Sequence, residues 1–205
     1  MEKPANSQYP IHQLLQQRWS PLAFSQQQVE KEKLCSLLEA ARWAASSYNE
    51  QPWHFIVATQ ENPEEFKRLL SCLAEGNQVW AKHAPVLTLS VAKLYFEKNH
   101  TENRHAFHDV GAAACSLAIE ATSLGLFIHQ MAGFDVSKAR ELYNIPEGYE
   151  PVAAIAIGYP GEPEVLPEKY QQREFAPRQR KPLETFVFTG SWGKTSPVIS
   201  LDEAK

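Results

Sequence analysis

The chain has 205 residues, and 20 Lys+Arg against 24 Asp+Glu leave a formal charge of −4. At that length folding buries about 70% of the unfolded chain's surface, so one sizeable core forms without disulfides or metals. The charge balance gives no basic field for nucleic acid or acidic lipid, and no apolar run reaches the length of about 18 residues that a membrane span needs. The polar N-terminus, MEKPANSQ, lacks a signal-peptide core and predicts a cytoplasmic protein. Cys35, Cys72 and Cys115 are odd in number, without C-x-x-C spacing, and predict buried packing thiols in a reducing compartment.

In chain order, IHQLLQQ (11–17) reads as a short helix. Ser25 then offers a cap, with Gln28 at the capping-box position, and Val29, Leu34, Leu37, Leu38, Ala41 and Ala45 recur at helical spacing. That helix should end in Ser46-Ser47-Tyr48-Asn49, ahead of Pro52. WHFIVAT (53–59) predicts a buried strand. Asn62-Pro63-Glu64-Glu65 opens a helix with apolar face Phe66, Leu69, Leu70 and Leu73, expected to end at Gly76. Val86–Val91 follows as a second strand. Residues 107–124 form the most apolar helix, rich in Gly and Ala, with Gly125 as its C-terminal stop. Being apolar nearly all round, it should pack against several neighbours, including another subunit. A short strand at 127–131, a helix from Val136 to Tyr143 capped by Asp135, and a strand at Val152–Ile157 complete the core. Residues beyond Pro160 read as polar and Pro-rich up to Pro182. The final stretch carries Phe186, Phe188, Trp192, Val198 and Ile199, which predict docking on a partner surface. The pattern is α+β, with helices covering a small sheet.

No G-x-S-x-G, G-x-x-x-x-G-K-[ST], H-E-x-x-H or G-x-G-x-x-G occurs. His100, His105 and His108 beside Asp109 read as a solvated helix start with a capping role, not as metal ligands. Four separated segments stand out. Arg18 and Ser20 lie two apart on an extended loop, where a guanidinium fork and a hydroxyl can face one phosphate. Ala45 to Trp53 (ASSYNEQPW) forms a polar elbow between helix and strand. His129 to Asp135 (HQMAGFD) contains a glycine that permits close backbone approach to a ligand. Arg178-Gln179-Arg180-Lys181 gathers three cations in an acidic chain.

In this order and spacing the segments resemble the nitroreductase family of FMN-dependent oxidoreductases. The family's R-x-S-x-[RK]-x-F loop is met by Arg18, Ser20 and Phe24, and its S-S-x-N-x-Q-P-W elbow by Ser46 to Trp53. Its G-F-D loop is met by Gly133-Phe134-Asp135, and its basic pair by Arg178 and Arg180. The resemblance implies one domain over 1–205, with a core at about 11–183 and a tail at 184–205 packing on a partner. It also implies a nitroreductase-like fold, a small, mostly antiparallel sheet flanked by helices, in an intertwined homodimer.

By the same resemblance, Arg18, Ser20, Arg178 and Arg180 hold the FMN phosphate, and Trp19 lines the loop through its backbone. Ser46, Ser47 and Asn49 reach the flavin from the other subunit, and Met131, Ala132 and Gly133 lie beside its ring, with a backbone N–H near N5. Leu22 stands where the family carries Arg or Lys near flavin N1 and O2, and it brings no charge to stabilise the reduced ring. Lys82 or a water is a candidate replacement. The implied activity is hydride transfer from NADH or NADPH, through FMN, to a small nitroaromatic or quinone by a ping-pong scheme, without a catalytic side chain. The rival readings are a reductive dehalogenase or flavin-modifying member, an FMN binder of low turnover, and a purely structural interaction module.

Overall fold

The computed structural model describes residues 2–199. Four strands form one antiparallel sheet in the order β1-β2-β4-β3: β1 Trp53–Thr59, β2 Val86–Lys93, β3 Phe127–Met131 and β4 Tyr149–Gly158. Alternation along the strands divides the core in two. Leu87, Leu89, Val91, Ala154 and Ala156 face one side, where Leu22, Phe24, Phe66, Leu69 and Trp80 pack. Val86, Ile155 and Ile157 face the other side, against Leu37, Ala113, Leu117 and Ala121. The β2–β4 register slips between Ser90 and Val91, close to Pro151, a residue with no N–H for a ladder.

Helices α1 Gln13–Gln17, α2 Lys31–Arg42, α3 Pro63–Leu70, α4 Glu75–Ala81, α5 Ala106–Ser123, α6 Val136–Leu142 and α7 Glu168–Phe175 cover the sheet. Two predicted caps form: Asn62 Oδ1 accepts from Glu65 N–H at 3.3 Å, and Asp135 Oδ1 from Lys138 N–H at 2.9 Å. Gly125 takes the left-handed conformation (φ 75°) expected after α5. The small residues of α5 let it nest against α2 and the sheet, while Phe107 and Cys115 stay exposed on the single chain.

Several expectations are corrected. Helix α2 starts at Lys31 instead of near Ser25, whose hydroxyl accepts from Gln27 N–H (3.1 Å) in a turn. Glu30, the residue before α2, is tethered by the Tyr159 hydroxyl (2.6 Å) and the Lys33 ammonium, and this fixes where the helix begins. Gly76 does not stop a helix. It lies inside α4, and its carbonyl accepts from the Tyr170 hydroxyl at 2.9 Å. The stretch read as polar and Pro-rich, without a helix, contains α7, with Tyr170 and Glu174 on its buried side. Of the cysteines only Cys72 is buried, and Cys35 and Cys115 are exposed on the chain. His105 gives no side-chain cap to α5; the Asn103 amide oxygen accepts the His105 N–H at 3.1 Å. In the tail, Phe186, Trp192 and Val198 are exposed, and residues beyond Ile199 lie outside the described residues.

Candidate functional site

The first predicted segment begins where α1 ends. His12 Nδ1 accepts from Leu14 N–H (3.2 Å) at its start, and Arg18 follows its last turn. From there the chain alternates between solvent and core. Trp19 is buried, edge-on to Phe127 and under the Lys3 ammonium, which lies 4.8 Å from a ring centroid. Ser20 is exposed, and its Oγ accepts from Arg18 Nη1 at 3.4 Å. Leu22, Ala23 and Phe24 are buried in the core. The loop is anchored by its main chain. Leu22 and Ala23 N–H groups donate to the Glu174 carboxylate at 2.7 and 3.3 Å, and the Pro21 carbonyl accepts from His129 Nδ1 at 2.8 Å. A carbonyl only accepts, so Nδ1 carries the proton. His129 also packs on Trp80 (centroids 4.6 Å apart), and burial holds its pKa below the ordinary histidine value.

The basic segment returns to this loop. Arg18, Arg178, Arg180 and Lys181 line one cavity of about 810 Å³, framed by residues 5–9 and by Pro182, Leu183 and Phe186. Burial, then the charge of Arg180, pulls Arg18 below the usual guanidinium range. Burial, then Arg18 and Arg180, does the same to Arg178. None of the ion pairs among the described residues engages these four cations. Like charges gathered without a counter-ion repel, so the arrangement favours an anion, and a planar guanidinium pair suits phosphate. Sequence segments one and four therefore meet in space.

The elbow lies elsewhere on the chain. Ser46 Oγ accepts from Gln51 N–H and Ser47 N–H donates to Asp109 Oδ2 on α5, each at 3.0 Å. Tyr48, Asn49 and Gln51 have φ of 53°, 57° and 52°, a left-handed region costly for side chains other than Gly and Asn. Tyr48 is 92% exposed, so this strain is not offset by burial within the chain. Among the described residues, no hydrogen bond or cavity joins the elbow to the arginines.

A model of the nitroreductase family matches residues 15–159. The chain belongs to the nitroreductase family. A solved structure described as an oxidoreductase containing FMN superposes with a TM-score of 0.87 at 35% identity, covering 93% of this chain and 96% of that one. A Mycolicibacterium smegmatis protein described as an uncharacterized 15.4 kDa protein is 38% identical over 130 residues, 63% of this chain and 86% of its own. A Bacillus subtilis protein named FMN reductase (NAD(P)H) is 28% identical over 157 residues, 68% of this chain and 61% of its own.

Within this nitroreductase-family chain, the third segment runs off the end of β3. Met131 is buried and Ala132 exposed, and the N–H groups of Ala132 and Gly133 meet no acceptor among the described residues. Gly133 permits a close approach, but of the protein to itself: a Cβ there would lie 2.7 Å from Asn77 Nδ2, which donates to the Gly133 carbonyl. Leu22 offers no cation and no free N–H. Lys82 is exposed at the C-terminal end of α4, where its carbonyl accepts from Gln60, and it does not line the arginine cavity. Glu174, Lys3 and His129 anchor the loop without belonging to any motif that marks them for that role in the sequence. A carboxylate four residues after Tyr170, on the face that α7 buries, was the available signal.

Proposed function

We propose that the chain is an NAD(P)H-dependent FMN oxidoreductase whose flavin phosphate sits in the arginine cavity. The observation that carries this is the convergence of Arg18, Arg178 and Arg180 on one cavity, with no carboxylate partner among the described residues, in a chain of the nitroreductase family. These residues fit the group, because a phosphate dianion complements the clustered guanidinium charge, and Ser20 holds its hydroxyl within hydrogen-bond reach of Arg18. The chemistry that FMN supplies when bound is two-electron exchange between NAD(P)H and a small electron-poor acceptor such as a nitroaromatic or quinone.

The remaining roles belong to this chain's own groups. Trp19, with its ring buried, lines the site through main chain. Ala132 and Gly133, whose N–H groups meet no acceptor among the described residues, offer them to the ring edge, beside Met131. Ser46, Ser47 and Asn49 stand apart from the arginines in one chain, which supports a homodimer in which each elbow completes the partner's site. The exposed Phe107, Phe186 and Trp192 supply apolar surface for that pairing. Donor and acceptor then use one open face in turn, and double-reciprocal plots run parallel. Intersecting plots would refute a shared face.

The deciding experiment is an absorption spectrum of the purified protein before and after anaerobic NADH or NADPH. Flavin bands that bleach support the reading. Bands that persist with both donors favour an FMN binder of low turnover, the reading that an uncharged Leu22 supports. A colourless protein that refuses added FMN overturns both.

A further inference from the structure

Glu174 is a carboxylate only 3% exposed, and the function proposed above gives it no part. Its two oxygens accept from the adjacent N–H groups of Leu22 (Oε2, 2.7 Å) and Ala23 (Oε1, 3.3 Å). Those N–H groups belong to the loop that carries Arg18 and Ser20. The same residue's carbonyl accepts from the Lys3 ammonium. Four residues on, Arg178 Nη1 donates to the carbonyls of Lys3 (2.6 Å) and Gln16 (2.8 Å). The stretch 174–178 thus knots together the N-terminal segment, the end of α1 and the loop, and Arg18 and Arg180 reach one cavity from either side of the knot.

A buried carboxylate is an unfavourable choice for packing alone, since its desolvation must be offset by hydrogen bonds. Its advantage is geometric. Two acceptor oxygens on one rigid group fix two successive N–H groups, and so the direction in which the preceding residues leave the core. No ion pair joins Glu174 to the arginines, so their charge stays available to a ligand.

We propose that Glu174 is a positioning residue of the phosphate site, holding the main chain at Leu22 and Ala23 so that Arg18, with Ser20 hydrogen-bonded to it, shares the cavity with Arg180. The inference rests on the FMN reading above. It does not make Glu174 a catalytic residue, because it touches the loop and not the ligand.

The test is to titrate apoprotein of wild type, E174Q and E174D with FMN and with riboflavin, which lacks only the phosphate, following flavin fluorescence. Thermal melts run alongside. In E174Q the amide turns a donor toward one loop N–H, and in E174D the carboxylate falls short. The expected result is a rise in FMN Kd of about tenfold, the scale of one charge-assisted hydrogen bond, with riboflavin Kd unchanged. The preference for FMN then collapses, whereas a general loss of packing weakens both ligands together. A folded variant that keeps the wild-type ratio overturns the role of Glu174 and leaves the FMN reading standing. Wild type that binds the two ligands equally, or neither, overturns the phosphate site and this role with it. Failure of both variants to fold also overturns the proposal, since Glu174 is then needed for the fold as a whole.

Discussion

Arg180 is exposed, and among the described residues its Nη1 is engaged only by the neighbouring Gln179 carbonyl. Its replacement therefore disturbs little of the fold and tests ligand binding directly. Arg180→Ala is expected to weaken FMN by about 1.5–3 kcal/mol, roughly ten- to a hundredfold in Kd, with the melting temperature unchanged. Equal FMN affinity in the two proteins would remove Arg180 from the site. His129 makes a different prediction, about stability against pH. Burial lowers its folded-state pKa below the unfolded value, against the opposing bond to the Pro21 carbonyl. The unfolded chain then binds more protons between the two values, so stability falls as pH drops below about 6.5 and levels off beneath the folded value. Glu174 works in the opposite sense, because burial raises its pKa and protonation relieves a desolvated charge. Urea melts of wild type and His129→Gln across pH 5 to 7.5 separate the two. The variant should lose the acid destabilisation, and identical curves would show that His129 does not carry it.

At the scale of elements, the glycine singled out by sequence has a structural duty as well. The Gly133 carbonyl accepts from Ala74 N–H and from Asn77 Nδ2, each at 2.9 Å, and this ties the start of α4 to the loop after β3. Gly133→Ala places a methyl 2.7 Å from Asn77 Nδ2 and must displace that amide. The expected loss is about 1–2 kcal/mol of unfolding free energy, a broken hydrogen bond plus strain. Asn77→Ala should recover most of the steric part, so the double variant is less destabilised than the sum of the singles. Strict additivity would place the clash elsewhere. The same scale shows what could be read without coordinates. The helices capped by Asn62 and Asp135 and the apolar strands β2 and β4 were legible because local chemistry and tertiary demand agree there, whereas 53–59, expected to be a buried strand, is the edge strand β1, in which Ala58 alone is buried. Helix α7 was hidden because one of its two buried positions is a glutamate, which breaks an apolar period. The start of α2 was displaced because Glu30 is fixed by Tyr159, 129 residues away, against which a local Ser25 signal cannot compete. At the site, Arg18, Ser20 and the basic segment were legible as charge and motif. That they share a cavity, and that Glu174 anchors the loop, depends on contacts between distant segments that no spacing records.

For the whole molecule the telling feature is the separation of the elbow from the arginines within one chain. Three residues at positive φ, a tyrosine 92% exposed and a motif that no cavity or hydrogen bond among the described residues joins to the arginines make sense if a second subunit closes over them. In a twofold dimer each site then takes its arginines from one subunit and its elbow from the other. That geometry predicts complementation. Arg180→Ala removes the anion contact, and Asn49→Gly removes the elbow amide while tolerating φ of 57°. Each variant alone should bind FMN weakly at every site. When the two are unfolded together and refolded, half of the dimers are mixed, and in each of these one site carries both defects and the other neither. About a quarter of all sites should then regain wild-type affinity, by random pairing of two variants in a twofold dimer. Fluorescence titration would show this as a tight phase ahead of the weak one. A single weak phase in the mixture would mean that arginines and elbow serve one site within one chain, or serve different ends, and the proposed division between subunits would fall.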